Sequence, residues 1–454
     1  MKRTLCLVLT LMMVMTITAL VSAEPAITTP TTIRFMDTSP SPEREAMYRQ
    51  FIEDFKPVEP NITVEYENVP YDESHSKLVT YAATQSLPDI YQIHATWTSE
   101  FAMAGWALKL DDYVENYALK DHFTPFTMNV LFKIRQQEAL GGIYSIPDGL
   151  LDAGVIYRKD WFAEAGITPD MDWTWDDFFE ICEKLTDPAQ DRYGLAYRGG
   201  RAGFDRIIEY VMSVTKGHFY EPDGTSVLFR PEVLDAFVRY TDVYKKGQAP
   251  KDSISWGFAE MVQGFSNGTC GMLVQNPDAS AVVEGGMVMD LADVGVLPMP
   301  RNQEDGKLYV DAGSAYMYTI ASNTEYADAA WAFVGFLSSP ENNMIYCKSA
   351  AMIPIMKVDT DSDPYFSTGL MGDFVKTLDR RDMVMTASQG YFPELGGFRE
   401  PLMDAETQKY LQDMQSAEDT LKILGDYLTK YQQQYMIDFP DVPLPSPIEV
   451  GSLG

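Results

Sequence analysis

Ile33-Arg34-Phe35-Met36-Asp37-Thr38-Ser39-Pro40-Ser41-Pro42 opens the stretch that decides the fold, and it runs on to Ile62-Thr63-Val64-Glu65-Tyr66. Apolar and polar residues alternate at Ile33-Arg34-Phe35, the period of a half-buried strand. Asp37-Thr38-Ser39-Pro40-Ser41-Pro42 then breaks the strand with turn-forming residues. From Glu43 the apolar residues Met47, Phe51, Ile52 and Phe55 recur at helical spacing, and Ile62, Val64 and Tyr66 return to alternation. Strand, helix and strand in so short a span make a β-α-β unit, whose crossover is expected to be right-handed.

The same rhythm extends outward in both directions. Glu24 to Thr32, rich in Pro and Thr, reads as a flexible lead-in. Leu87-Pro88-Asp89-Ile90-Tyr91-Gln92-Ile93 reads as a buried strand, followed by a helix through Phe101-Ala102-Met103-Ala104-Gly105-Trp106. Ile143–Pro147 and Gly154–Tyr157 look like a pair of extended segments. Thr174-Trp175-Asp176-Asp177 starts a helix with a capping hydroxyl and a carboxylate three residues on, so these acids serve free N–H groups and the helix dipole rather than catalysis. Cys182 shares a helical stripe with Phe178, Phe179 and Leu185 and reads as buried packing. Phe333, Val334, Phe336 and Leu337 form another apolar helical face, stopped by Ser338-Ser339-Pro340. A long polar helix runs from about Ala417 to Tyr435, and a proline-rich tail follows it. Alternating strands and helices without an internal repeat indicate an α/β architecture.

Composition narrows the function. The 454 residues suggest more than one compact unit, and 46% hydrophobic with 12% aromatic residues is enough to fill a core. Asp and Glu number 66 against 35 Lys and Arg, a formal charge of −31. That excess excludes a nucleic-acid partner, which needs a basic face, and argues against adhesion to an anionic membrane. Lys2 and Arg3 precede an apolar run from Leu5, and Val21-Ser22-Ala23 ends it, the pattern of a secretory signal cleaved after Ala23. The alternative is a retained anchor, but the run is short and broken by threonines. No cysteine follows the small residues, so a lipid anchor is not expected. Cleavage would remove two bases and leave 33 against 66 acids, a charge of −33.

Export would leave Cys182, Cys270 and Cys347, too few for a disulfide framework although one bridge could form. The histidines at 75, 94, 122 and 218 lack metal-ligand spacing, so no zinc site is expected. Asp359-Thr360-Asp361-Ser362-Asp363 begins like a calcium loop, but Pro364 stands at its sixth position and Leu370 at its twelfth. It reads as a solvated turn. No phosphate loop, nucleophile elbow or HExxH occurs, and no cofactor is expected.

Four segments, in order, resemble the extracellular solute-binding proteins of family 1, the sugar-binding subunits of bacterial ABC importers. They are Leu87-Pro88-Asp89-Ile90 with Ala104-Gly105-Trp106-Ala107-Leu108-Lys109-Leu110-Asp111-Asp112; Tyr144-Ser145-Ile146-Pro147 with Val155-Ile156-Tyr157-Arg158-Lys159-Asp160-Trp161-Phe162-Ala163-Glu164-Ala165-Gly166 and Thr174-Trp175-Asp176-Asp177-Phe178; Phe265-Ser266-Asn267-Gly268-Thr269-Cys270-Gly271-Met272; and Val294-Gly295-Val296-Leu297-Pro298-Met299-Pro300 with Asp311-Ala312-Gly313-Ser314. The second group is the most specific. The resemblance spans about 33–346 and weakens after Ile353.

The resemblance implies a type II periplasmic-binding-protein fold resembling that of maltose-binding proteins, with two α/β lobes, two or three hinge crossings and the ligand in the interlobe cleft. The expected division is a signal at 1–23, one lobe of 24–147 plus 299–353, and another of 148–298 plus 354–454. It also implies a non-enzymatic, periplasmic or secreted monomer that closes on a carbohydrate and delivers it to membrane permease subunits.

A sugar wants polar groups at its edges and an aromatic platform beneath its C–H face. Asp37 ends the first strand and could accept two hydroxyls or cap a loop, with Ser39 beside it. His94, Thr96 and Trp97 occupy the loop where the family contacts ligand, though Trp97 could instead pack beneath Phe101. Asp148, after Pro147, is a rim acid or a turn cap with Gly149. Trp256 could stack on a sugar or pack at a helix start. Asn276 and Asp278 lie in a loop the family uses for ligand, or form an Asx turn at Asn276-Pro277. Gly313 and Ser314 match the family's glycine-rich crossing, and Arg399 is a clamp from the second lobe or a surface ion pair. The rival readings are a secreted carbohydrate-active hydrolase with paired carboxylates, and a binder of a peptide or polyol.

Overall fold

In this computed structural model the described residues are 27–450, except 152, 281–282, 284–289, 312–315 and 379–382. The opening stretch folds as its periodicity dictates. Strand β1 (Thr31–Asp37) begins slightly earlier than the alternation suggests, and β2 (Ile62–Asn68) lies parallel to it, with Ile33 opposite Val64 and Phe35 opposite Tyr66. The connecting helix, Pro42–Phe55, is capped by Ser41, whose Oγ accepts the Arg44 N–H at 3.2 Å. Met47, Tyr48, Phe51 and Phe55 form its buried face. Ile52 is only half-buried; Tyr48 takes the inner place, its ring edge-on to Phe35 at 4.9 Å.

The first sheet has the order β2-β1-β3-β10-β4, with β3 at Ile90–His94, β10 at Tyr316–Ile320 and β4 at Ser145–Pro147. The second has the order β6-β7-β5-β8, with β6 at Tyr193–Leu195, β7 at Cys270–Gln275, β5 at Gly154–Arg158 and β8 at Val294–Pro298. The two extended segments around 145 and 155 therefore do not pair. β4 lies antiparallel to β10, and β5 lies between β7 and β8. The residues joining them are a crossing between two lobes instead of a hairpin.

A third, three-stranded sheet pairs β9 (Leu308–Val310), β11 (Met383–Met385) and β12 (Ile448–Glu449), the last drawn from the proline-rich tail. Helix Ala417–Asp438 precedes that tail and is capped by Ser416, whose Oγ accepts the Asp419 N–H at 3.0 Å. On helix Trp175–Lys184, Thr174 Oγ1 accepts the Asp177 N–H at 3.3 Å while Asp177 Oδ2 accepts the Thr174 N–H at 2.8 Å. Those carboxylates are caps, as their spacing indicates. Cys182, Cys270 and Cys347 are buried free thiols, and burial raises the pKa of each. In the segment that began like a calcium loop, Asp359 accepts from Ser362 at 3.1 Å, and Asp363 caps the short helix Pro364–Ser367.

The chain crosses between lobes three times. It leaves the first sheet after β4, returns before β10, and leaves again past Ile353, beyond which helix Gly369–Leu378 packs on β8. The first and third crossings are tied together by Leu150 and Ile353, whose N–H groups donate to each other's carbonyl at 2.8 and 3.0 Å.

Candidate functional site

In open α/β sheets the ligand side lies beyond the carboxyl ends of the strands. Asp37 ends β1 and Asp148 follows β4, but both are fully buried. Arg44, on the helix after β1, donates from Nη2 to Asp37 Oδ1 at 3.0 Å and to Gln92 Oε1 at 2.9 Å, and from Nη1 to Tyr346 Oη at 3.0 Å. Asp37 also accepts the Ser39 N–H at 3.0 Å and the Tyr66 hydroxyl at 3.1 Å. Asp148 accepts from Tyr346 at 2.5 Å and from the Gln92 amide. Burial pushes the Asp148 carboxyl up to about 7, against the pull of Arg44 and these donors. The two expected rim acids thus lie beneath the site as its support, because a guanidinium, an amide and two tyrosines already occupy them.

Above that network stands an aromatic wall. The Tyr71 and Trp97 rings stack at 5.7 Å with planes 10° apart, and His75 abuts Trp97 at 4.8 Å. His94 meets Tyr316 edge-on at 5.6 Å. Trp97 is only 9% exposed, so Tyr71 is the more accessible member of the pair. Thr96 bonds His94 Nδ1 through Oγ1 at 2.8 Å. Burial, with Arg399 nearby, lowers the His94 pKa to about 3, which keeps the ring neutral.

The second lobe faces this wall with arginines and aspartates. The Arg201 guanidinium lies 5.2 Å over the Tyr71 ring. Arg399 Nη2 contacts both oxygens of Asp205 at 3.1 Å. Burial raises the Asp205 pKa, but Arg399, Arg206 and Arg198 outweigh it and hold the carboxyl below its ordinary value. Asp278 follows β7 beside the half-buried Asn276, and burial pushes its carboxyl up to about 6 against Arg206 and Arg198. Thr96 and Arg399 also line a cavity of about 110 Å³ between the lobes, together with Arg135, Asp311 and Gln389.

The structure thus brings Ser39, His94, Thr96, Trp97, Asp278 and Arg399 to the cleft. Trp256 is spoken for elsewhere: its ring lies against Gly264 of helix Phe258–Ser266, where an added Cβ would come within 2.5 Å, and its Nε1 donates to Asp252 at 3.3 Å. It packs its own helix. Gly313 and Ser314 lie outside the described residues.

Tyr71, Arg201, Asp205 and Tyr316 were not anticipated. Tyr71 directly follows the loop after β2, the same strand-end position that drew attention to Asp37. Arg201 sits in Arg198-Gly199-Gly200-Arg201-Ala202-Gly203, where a Cβ on Gly199, Gly200 or Gly203 would come within 2.7, 2.6 or 2.3 Å of backbone. A glycine-rich loop after a strand, carrying two arginines, was a legible signal.

The chain and its fold have known counterparts. Residues 39–344 match the family described as bacterial extracellular solute-binding protein. The chain belongs to that family. An Escherichia coli (strain K12) protein named as an ABC transporter periplasmic-binding protein is 24% identical over 337 residues, covering 72% of this chain and 73% of that one. The maltotriose-binding protein of Pyrococcus abyssi is 25% identical over 324 residues, covering 69% and 64%. An ABC transporter solute-binding protein from Thermotoga lettingae, solved with α-D-tagatose, superposes with a TM-score of 0.74 at 18% identity, covering 88% of this chain and 100% of that one. The fold is the two-lobed type II α/β arrangement with its ligand cleft between the lobes, and the protein is a solute-binding protein of the kind that serves ABC importers.

Proposed function

We infer that this protein captures a sugar or polyol in the interlobe cleft by lobe closure and hands it unchanged to the permease subunits of an ABC importer. The observation that carries the ligand class is the Tyr71–Trp97 stack faced by Arg201 and by the Arg399–Asp205 pair. An aromatic face takes the C–H side of a sugar, while guanidinium and carboxylate groups donate to and accept from its hydroxyls. The names of relatives point the same way, to maltotriose in one and mannitol in another. Tyr71, His94, Thr96, Trp97, Arg201, Asp205, Asp278, Tyr316 and Arg399 are the contact set, with Ser39, Asp37 and Asp148 supporting it.

The reaction ends at binding. Asp205 is engaged by Arg399, a poor arrangement for one of two opposed hydrolytic carboxylates. We take the lobes to divide at 147 and 353, a reading supported by β4 pairing with β10 and by β5 lying in the other sheet. The parallel pairing of β9 with β11 supports keeping Leu308–Val310 with the second lobe, so the return is proposed after Val310 instead of at 299. The protein works as an exported monomer, periplasmic or secreted; the signal assigned to 1–23 lies outside the described residues.

Calorimetry with a panel of sugars and polyols, paired with product analysis, tests this reading. Saturable binding with the ligand recovered intact is expected. Turnover of a glycoside would replace it with the hydrolase. Tyr71→Ala should weaken binding about tenfold, the loss of roughly 1.4 kcal/mol of stacking on the ligand, while the free protein stays folded.

A further inference from the structure

We propose that the cavity behind Thr96 and Arg399 is a blind pocket that seats one small polyhydroxylated unit, a single sugar ring or an acyclic polyol of similar size, so that the solute is a monosaccharide or polyol instead of an oligosaccharide. This rests on the carbohydrate reading above and specifies its ligand. Volume is the first argument. The cavity measures about 110 Å³. Pockets for drug-sized ligands occupy about 300–1,000 Å³. A cavity of this size matches one small unit and not a chain of several rings.

The lining chemistry is the second argument. Gln389 is 8% exposed, and its side-chain oxygen is buried without a hydrogen-bond partner. A buried acceptor left open in this way loses the free energy of its hydration and gains it back from a donor. The Asp311 carboxylate lines the same space and makes no hydrogen bond or ion pair with another described residue. Two acceptors thus share the cavity with two guanidinium groups, Arg135 and Arg399, with the Gln136 amide and Ser and Thr hydroxyls, and with an apolar wall of aliphatic carbon and the Tyr391 ring. Vicinal hydroxyls donate and accept at once, so a polyol satisfies both kinds of group, and its C–H bonds meet the apolar wall.

The closed end is the third argument. The wall from Ala387 to Tyr391 is fixed at its backbone, because Arg135 Nη2 donates to the Thr386 carbonyl at 2.7 Å and the Tyr220 hydroxyl donates to the Gln389 carbonyl at 2.5 Å. These two bonds hold that wall in place against an outgoing chain.

Calorimetry on the full chain with a hexose panel, mannitol and maltotriose decides the matter. At least one monosaccharide or polyol should bind at least a hundredfold tighter than maltotriose. Gln389→Ala and Asp311→Asn, checked for an unchanged melting temperature, should each weaken that small ligand tenfold or more. If maltotriose or a longer glycan binds tighter than every small ligand, the blind pocket is overturned while the carbohydrate reading stands. If both folded variants bind the small ligand as the parent does, the pocket is likewise overturned. If no carbohydrate or polyol of any length binds, the carbohydrate reading falls and the pocket assignment with it.

Discussion

Asp148 sits where three parts of the chain meet. Its N–H donates to the Tyr316 carbonyl at 3.0 Å, its own carbonyl accepts from Asn343 Nδ2 at 2.6 Å, and its carboxyl lies between Tyr346 and Gln92 with Oδ1 unpartnered. Arg44 and Asp37 face it through the same network, with Tyr48, Tyr318 and Cys347 around it. Burial raises its pKa from 3.8 to about 7. A carboxyl held above its unfolded value stabilises the native state fully below the unfolded pKa, and that stability is lost as pH rises through the folded one. The loss runs between about pH 4 and pH 7 at up to about 1.4 kcal/mol per unit. The melting temperature should therefore rise when the buffer is taken from pH 8 to pH 6. Asp148→Asn should flatten that slope by raising the value at pH 8. Parallel slopes in parent and variant would show that Asp148 does not titrate in this window.

Among elements, those whose partners are close in sequence were the legible ones. The apolar stripe of Pro42–Phe55 and the capping box of Trp175–Lys184 are set by residues within one or two turns, so spacing alone reveals them. Pairing is different. β4 finds β10, which begins at Tyr316, and nothing local to Ser145-Ile146-Pro147 announces that neighbour. The site divides in the same way. His94, Thr96 and Trp97 lie at a strand end and could be picked out by position. The depth of Asp37 and Asp148 could not, because Arg44 and Tyr346 cover them only in the folded chain. Trp256 shows the converse, an aromatic whose place is taken by its own helix at Gly264. Trp256→Phe should lower the melting temperature yet leave ligand affinity within about twofold, since core substitutions act on packing. A loss of binding in a fully folded Trp256→Phe protein would return this residue to the cleft.

For the whole molecule, three crossings make a hinge, and the contacts that span the cleft set how often it is shut. Arg201 reaches from the second lobe onto Tyr71 of the first, and Arg399 approaches His94 while holding Asp205. These contacts exist only with the lobes together, so they bias the equilibrium toward closure before any ligand arrives. A ligand then gains affinity in proportion to the fraction already closed. Removing Arg201 should expose this coupling. An exposed to half-buried cation–π contact is worth about 0.5–2 kcal/mol, so Arg201→Ala should open the free protein and weaken binding about tenfold, part of it through the hinge. Small-angle scattering separates that part. The parent's radius of gyration should fall on ligand saturation. Free Arg201→Ala should be larger than the free parent, and at saturation the two should coincide. If Arg201→Ala weakens binding with no change in the free radius, Arg201 acts on the ligand alone and not on closure.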